Sequence, residues 1–242
     1  MSDNDIEDPQ MVPEEIERAA GLIMAPGEVY ELRVPKAGRQ KTISGYFSSV
    51  QSLVQSATAL DEGSYPGIYI TLNPVNPALL ARAENRIISY AAYTTSDLDI
   101  RERRWLLIDC DPKRPAGISA TDHEHGRAIS TACGIWDDLH CEGFPDPVVC
   151  DSGNGCHLLY RIEAENSPEN AQTIRALLQR VSLDLTPDDV DVDVSVFNAS
   201  RVTKLYGTMT RKGDSTQDRP HRRSRILEIP VSLKAMDLEG IQ

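Results

Sequence analysis

Aromatic residues are scarce, at 5% of the 242-residue chain, and so is positive charge: 25 lysines and arginines face 37 acids, for a formal net charge of -12. The first shortage argues against a broad stacking platform for single-stranded nucleic acid, the second against a basic coat for duplex binding. The cysteines, Cys110, Cys133, Cys141, Cys150 and Cys156, are odd in number and contain no Cys-x-x-Cys pair. That pattern indicates neither a disulfide framework nor a zinc ribbon. His123, His125, Cys133, His140 and Cys141 remain an alternative zinc set, against the plainer reading that they lie around one helix and its flanks. No apolar run approaches the roughly 18 residues of a membrane span. The start, Met1-Ser2-Asp3-Asn4-Asp5, lacks the basic and apolar regions of a signal peptide. The expected location is cytoplasmic, with no membrane partner.

What is present suits a folded domain, since 40% of the residues are hydrophobic. Residues 1–12 are acidic with no apolar face and read as a disordered arm. Residues 13–95 read as a mixed α/β module: a helix to about Met24, strands at Val29–Val34 and Thr42–Phe47, a helix Ser49–Leu60 and a strand Gly67–Leu72. Residues 96–230 alternate more clearly. A strand Trp105–Cys110 precedes a helix Thr121–Cys141, strands Pro147–Cys150 and Cys156–Ile162, a helix Ser167–Leu183 and an extended Val190–Val196. Strand, helix, strand, strand, helix, strand is the split βαβ order, with two helices on one face of an antiparallel sheet. The expected class is therefore α+β. Residues 231–242 read as a C-terminal exit segment, with an exit strand from Pro230 onward.

Three motifs carry chemistry. Asp109 and Asp111 end the apolar run Trp105-Leu106-Leu107-Ile108, and residues i and i+2 of a strand share a face roughly 7 Å apart. Two anions at that range repel, and a divalent cation relieves them. The turn Ser152-Gly153-Asn154-Gly155, followed by Cys156 and His157, lets backbone N–H groups approach an anion, with Ser152, Asn154 and His157 as donors. A plain hairpin would also use Asn-Gly. Asp193, with Asp191 on the same face, offers a further carboxylate. Basic residues concentrate between Arg201 and Arg225, where Arg201, Lys204 and the Arg219-Pro220-His221-Arg222 cluster are candidates for phosphate. Aspartyl-phosphate phosphatases also open on Asp-x-Asp, but they place a small hydroxyl residue where this chain has Lys113.

In this order the elements resemble the archaeo-eukaryotic primase superfamily. Ser44-Gly45-Tyr46-Phe47, Tyr69-Ile70-Thr71-Leu72-Asn73-Pro74-Val75, Val196-Phe197-Asn198 and Lys204-Leu205-Tyr206-Gly207-Thr208 resemble primase-polymerase domains of bacterial mobile elements, phages and CRISPR-associated operons. The likeness spans about residues 28–230. It implies an RRM-like βαββαβ palm, with Asp109, Asp111 and Asp193 as catalytic acids holding two divalent ions, Mg2+ or Mn2+. It implies that Ser152, Gly153, Asn154, His157, Arg201, Lys204 and Arg222 bind the nucleotide. The implied substrates are a dNTP or NTP with a single-stranded DNA template and primer. Helicase or other replication domains are implied outside this sequence. A non-catalytic nucleotide- or DNA-binding module of a replication protein is the alternative. Template binding is expected to be modest and to run through the Arg201–Arg225 region.

Overall fold

The computed structural model describes residues 11–238, so most of the expected acidic arm lies outside the described residues. The chain is already helical at Met11. α1 (Met11–Ile23), β1 (Tyr30–Val34), β2 (Ile43–Phe47), α2 (Val50–Asp61) and β3 (Tyr69–Thr71) come first, followed by short 3-10 turns at Pro77–Arg82 and Asp97–Asp99. Next come β4 (Glu102–Pro112), α3 (Asp122–Cys141), β5 (Val148–Asp151), β6 (Cys156–Glu165), α4 (Pro168–Asp184) and β7 (Val190–Val192). A 3-10 turn at Val194–Phe197 leads to β8 (Val202–Lys204), β9 (Met209–Thr210), β10 (Arg222–Arg223) and β11 (Arg225–Glu228).

The helices begin where their caps dictate. Ser49, Thr121 and Ser167 each accept a backbone N–H of the first turn, and Thr121 with Glu124 forms a reciprocal capping box. Each such cap contributes about 1 kcal/mol. The extended reading of Val190–Val196 fails at its second half. The Asp193 carboxylate accepts the Ser195 amide at 2.8 Å and folds Val194–Phe197 into a 3-10 turn. The exit strand expected from Pro230 is also absent: that stretch is irregular, touching the sheet by one bridge between Ile162 and Met236. Proline has no N–H to give a ladder, and the sheet's last strand is β11.

Two larger antiparallel sheets result, in the orders β2-β1-β3-β8 and β11-β5-β6-β4-β7, beside a two-stranded antiparallel ribbon of β9 and β10. In the second, β4, α3, β5, β6, α4 and β7 follow one another in sequence, yet β4 and β6 lie side by side at the centre. β8, beyond residue 200, completes the first sheet by pairing with β3. One core runs through both parts of the chain, from Ile16 and Leu32 to Leu158 and Val181. Along β4 the period of two divides the residues. Leu107, Asp109 and Asp111 line a cavity against Tyr69 of β3 and Thr203 of β8, so Leu106, Ile108 and Cys110 face the other way, into the core. No helix among the described residues is long and apolar enough to cross a membrane.

Candidate active site

The cavity between the two sheets has a volume of about 160 Å³. β4 delivers Asp109 and Asp111 to it; the turn between β5 and β6 delivers Ser152 and Asn154; β6 opens with His157; and β8 with its approach delivers Arg201, Thr203 and Lys204. Thr210 and Lys212 close the rim. Seven sequence-derived candidates thus meet in one place although they come from three separate stretches of chain.

Asp109 is the better anchored acid. Its Oδ1 lies 3.3 Å from His157 Nε2, and His157 Nδ1 lies 2.8 Å from the buried Tyr206 hydroxyl. One ring nitrogen thus meets each partner, and the imidazole ties Asp109 to Tyr206. Burial alone would raise the Asp109 pKa, but the charge and hydrogen bond of His157, with Lys212 and Arg201 behind them, outweigh it and hold the carboxyl below its usual range. Asp111 goes the other way, raised by burial and then by the Asp109 charge. At Asp111 the charges of Lys212 and of Arg114, 3.5 Å away, do not offset burial and the Asp109 charge, which is the electrostatic condition that a further cation relieves.

The glycine turn packs hard against this pair. A Cβ on Gly155 would lie 2.2 Å from the Cys110 carbonyl oxygen and 2.8 Å from Asp111 Oδ1, so only glycine permits the approach. Gly153, at φ +92, packs against Thr210 and the Arg222 carbonyl instead. Ser152 Oγ accepts the Gly155 amide at 3.0 Å. Asn154 Oδ1 accepts the Ala120 amide at 2.7 Å, while its Nδ2 is buried with no hydrogen-bond partner. A buried amide donor without a partner costs about 1–3 kcal/mol, and an anion in the cavity would satisfy it.

Other candidates lie differently. The Asp193 amide donates to the Asp109 carbonyl at 3.0 Å, but the Asp193 carboxylate caps Ser195 and lines the neighbouring groove, which it shares with Asp111. Asp191 is exposed and paired to Lys113 at 3.4 Å. Arg201 lines the cavity while donating to Asn198 Oδ1 and the Ser195 carbonyl. Lys204 is buried at its floor, donates to the Met209 carbonyl at 2.7 Å, and is driven down to about 7 by burial. Arg222 points away from the cavity, donating to the Ala120 carbonyl and Asp122, and Arg219 grips Glu124 through two hydrogen bonds. Both arginines hold the start of α3. Among the described residues no group of three or more His, Cys, Asp or Glu side chains is placed to hold a metal ion, the histidine and cysteine set near α3 included. The donors present fit an ion that takes one or two carboxylates and completes its shell with water and phosphate oxygens, as magnesium does; they do not form an all-protein cage. Sequence reasoning missed Tyr69, Thr203, Thr210 and Lys212 as cavity residues. Lys212 lies in the basic stretch already noted, and Tyr69 in one of the quoted motifs.

The mixed α/β fold with antiparallel sheets is similar to the folds of solved primase domains. The chain superposes on primase RepB′ with a TM-score of 0.53 at 15% identity, over 90% of this chain and 56% of that one. It superposes on the archaeo-eukaryotic primase domain of the cyanophage S-2L primase-polymerase with a TM-score of 0.56 at 14% identity, over 94% of this chain and 95% of that domain. The chain therefore spans little more than half the length of RepB′. No family model and no curated sequence matches it.

Proposed function

We propose that this chain is a template-dependent primase-polymerase domain that joins dNTPs or NTPs on single-stranded DNA, making or extending primers. The observation that carries the reading is the convergence of Asp109, Asp111, Ser152, Asn154 and His157 on one cavity within a fold shared with primase domains. In this reading the five-stranded sheet with α3 and α4 is the RRM-like palm, and the first sheet is the module that covers it. Origin in a mobile element, phage or CRISPR-associated operon belongs to the same proposal, as do helicase or replication domains outside this sequence.

Asp109 and Asp111 would hold divalent ions, Mg2+ or Mn2+, with Asp193 a further carboxylate in the groove that Asp111 also lines. Bound there, such ions lower the pKa of the attacking hydroxyl and stabilise the leaving pyrophosphate. The chain's own groups do the rest. Asn154 Nδ2 and the Ser152 hydroxyl donate to phosphate oxygens; His157, held by Tyr206, keeps Asp109 in place and presents its ring edge to the cavity. Arg201 and Lys212 supply the remaining positive charge at the mouth, while Lys204 supports the floor through Met209.

The test is incorporation of labelled triphosphates on a single-stranded template with magnesium or manganese, with and without a primer. Primer-free product marks a primase, and product only with primer marks a polymerase. Asp109→Ala and Asp111→Ala should each abolish incorporation while circular dichroism stays native. Retained incorporation in both variants refutes the proposal, and free phosphate would mark a hydrolase. The non-catalytic alternative gains some support from the placement of Asp193 off the cavity, and predicts nucleotide binding without product.

A further inference from the structure

The basic stretch that sequence reasoning assigned to template binding is largely occupied. Arg211 and Arg223 pair with Asp61, Arg219 with Glu124, Arg222 with Asp122 and Arg225 with Asp151. Apart from Arg201, Lys204 and Lys212 at the catalytic cavity, a second group of cations has no carboxylate partner among the described residues. Lys36, Arg39 and Lys41 sit in the turn between β1 and β2, while Arg82 ends the Pro77–Arg82 turn and Arg86 lies in the segment after it. Glu84 is the one acid in residues 36–41 and 82–93, within a chain of net charge -12.

These two segments are neighbours. The Ala91 amide donates to the Thr42 carbonyl at 2.9 Å, and Ile88 bridges to Ser44, so residues 83–91 run along the outer edge of β2. Tyr90 and Tyr93 stand out from this edge at 62% and 75% exposure, against an otherwise aromatic-poor surface. The Arg82 guanidinium lies 6.0 Å from the Tyr93 ring centre, close enough for a cation–π contact. The described non-glycine residues at positive φ, Lys36, Lys41, Asn85 and Tyr90, all fall in these two segments. Left-handed backbone at such residues costs about 1–3 kcal/mol each and concentrates at binding sites. The strip is also joined to the catalytic cleft: Lys36 lines the groove that contains Asp111, Asp193 and Lys212.

We infer that Tyr90, Tyr93, Arg82, Arg86, Arg39 and Lys41 form a docking surface for single-stranded nucleic acid that leaves the catalytic groove past Lys36. The two rings stack bases without reading sequence, and the cations meet phosphates. β2 lies three strand spacings from β8, about 14 Å, so a strand of a few nucleotides spans from cleft to tyrosines. This inference rests on the proposed polymerase reading and adds where the strand runs.

The experiment measures anisotropy of a labelled oligo-dT with the full chain and with Tyr90→Ala/Tyr93→Ala, Tyr90→Phe/Tyr93→Phe and Lys41→Gln/Arg86→Gln. Loss of both rings should weaken binding about ten-fold or more, and the phenylalanine pair should retain it. The charge variant should flatten the salt dependence by roughly 0.7 in log–log slope per side chain. An iododeoxyuridine oligonucleotide should cross-link to the peptide carrying Tyr90 and Tyr93. Wild-type affinity in the double alanine variant, or cross-links confined to residues 201–225, overturns this surface and leaves the polymerase proposal standing. Failure of the unmodified chain to bind the oligonucleotide overturns both. Equal loss of manganese-dependent triphosphate binding in the tyrosine variants would assign the rings to the fold and also overturn the surface.

Discussion

Replacing Gly155 by alanine is the sharpest single test of how the cavity is built. The added methyl would sit 2.2 Å from the Cys110 carbonyl, 2.8 Å from Asp111 Oδ1 and 3.2 Å from its Cα. Two of these three atoms are backbone of a central strand laddered on both sides, to β6 and to β7, and cannot swing away as a side-chain end would. Relief requires the turn or the end of β4 to move by about 1 Å, and overpacking of this kind costs about 1–3 kcal/mol. A misplacement on the order of 1 Å at reacting groups costs about 100-fold in rate. Gly155→Ala should therefore lower the urea midpoint and reduce nucleotide incorporation by about two orders of magnitude while triphosphate still binds. The control is Gly134→Ala, on an exposed position of α3 with nothing within 4 Å of the new methyl, which should gain about 1 kcal/mol from helix propensity. An unchanged urea midpoint and near-normal incorporation in Gly155→Ala would refute the close approach. Lost stability with full activity would confine the glycine to folding.

Three further outcomes follow from the same geometry. Asn154→Asp keeps the acceptor for the Ala120 amide but puts an anion where the unpartnered amide donor stood; steady-state kinetics below the melting transition should show a rise of about 100-fold in triphosphate KM, near 3 kcal/mol, and the melting temperature should fall because the new carboxylate is buried without a cation partner. Lys204 is depressed to about 7 in the fold, so between pH 7 and its unfolded value the unfolded chain binds more protons and stability rises with pH, by up to about 1.4 kcal/mol per unit. The difference between unmodified chain and Lys204→Met in urea melts across that window should carry this slope, and parallel curves would contradict it. Arg222→Ala should cost about 1–3 kcal/mol of stability, through the Ala120 carbonyl and Asp122, with a smaller effect on triphosphate affinity than Asn154→Asp. Loss of affinity without loss of stability would return Arg222 to the phosphate.

The elements built from local signals were legible in the sequence. The apolar run before Asp109 marked β4, Thr121 with Glu124 marked the start of α3, and the Asn-Gly turn marked the β5–β6 hairpin; each depends on neighbours a few residues away. What escaped depends on partners far along the chain. Arg219 and Arg222 read as a phosphate clamp because nothing local shows that Glu124 and Asp122, roughly a hundred residues earlier, take them. The pairing of β8 with β3, which forms one wall of the cavity, is equally remote. Asp193 misled differently: alternation carried the strand past residue 192, and a single carboxylate-to-amide hydrogen bond bent it away.

The contact between the first helix and the last strand governs how this chain comes to be folded during synthesis. The Ile226 amide donates to the Glu15 carboxylate, a separation of 211 residues. A ribosome adding about 5 to 20 residues each second needs roughly 10 to 40 s to bring the second partner out. Through that interval the outward side of the helix has no strand to rest on, and the nascent chain waits for its final hydrogen bond with part of its apolar surface uncovered.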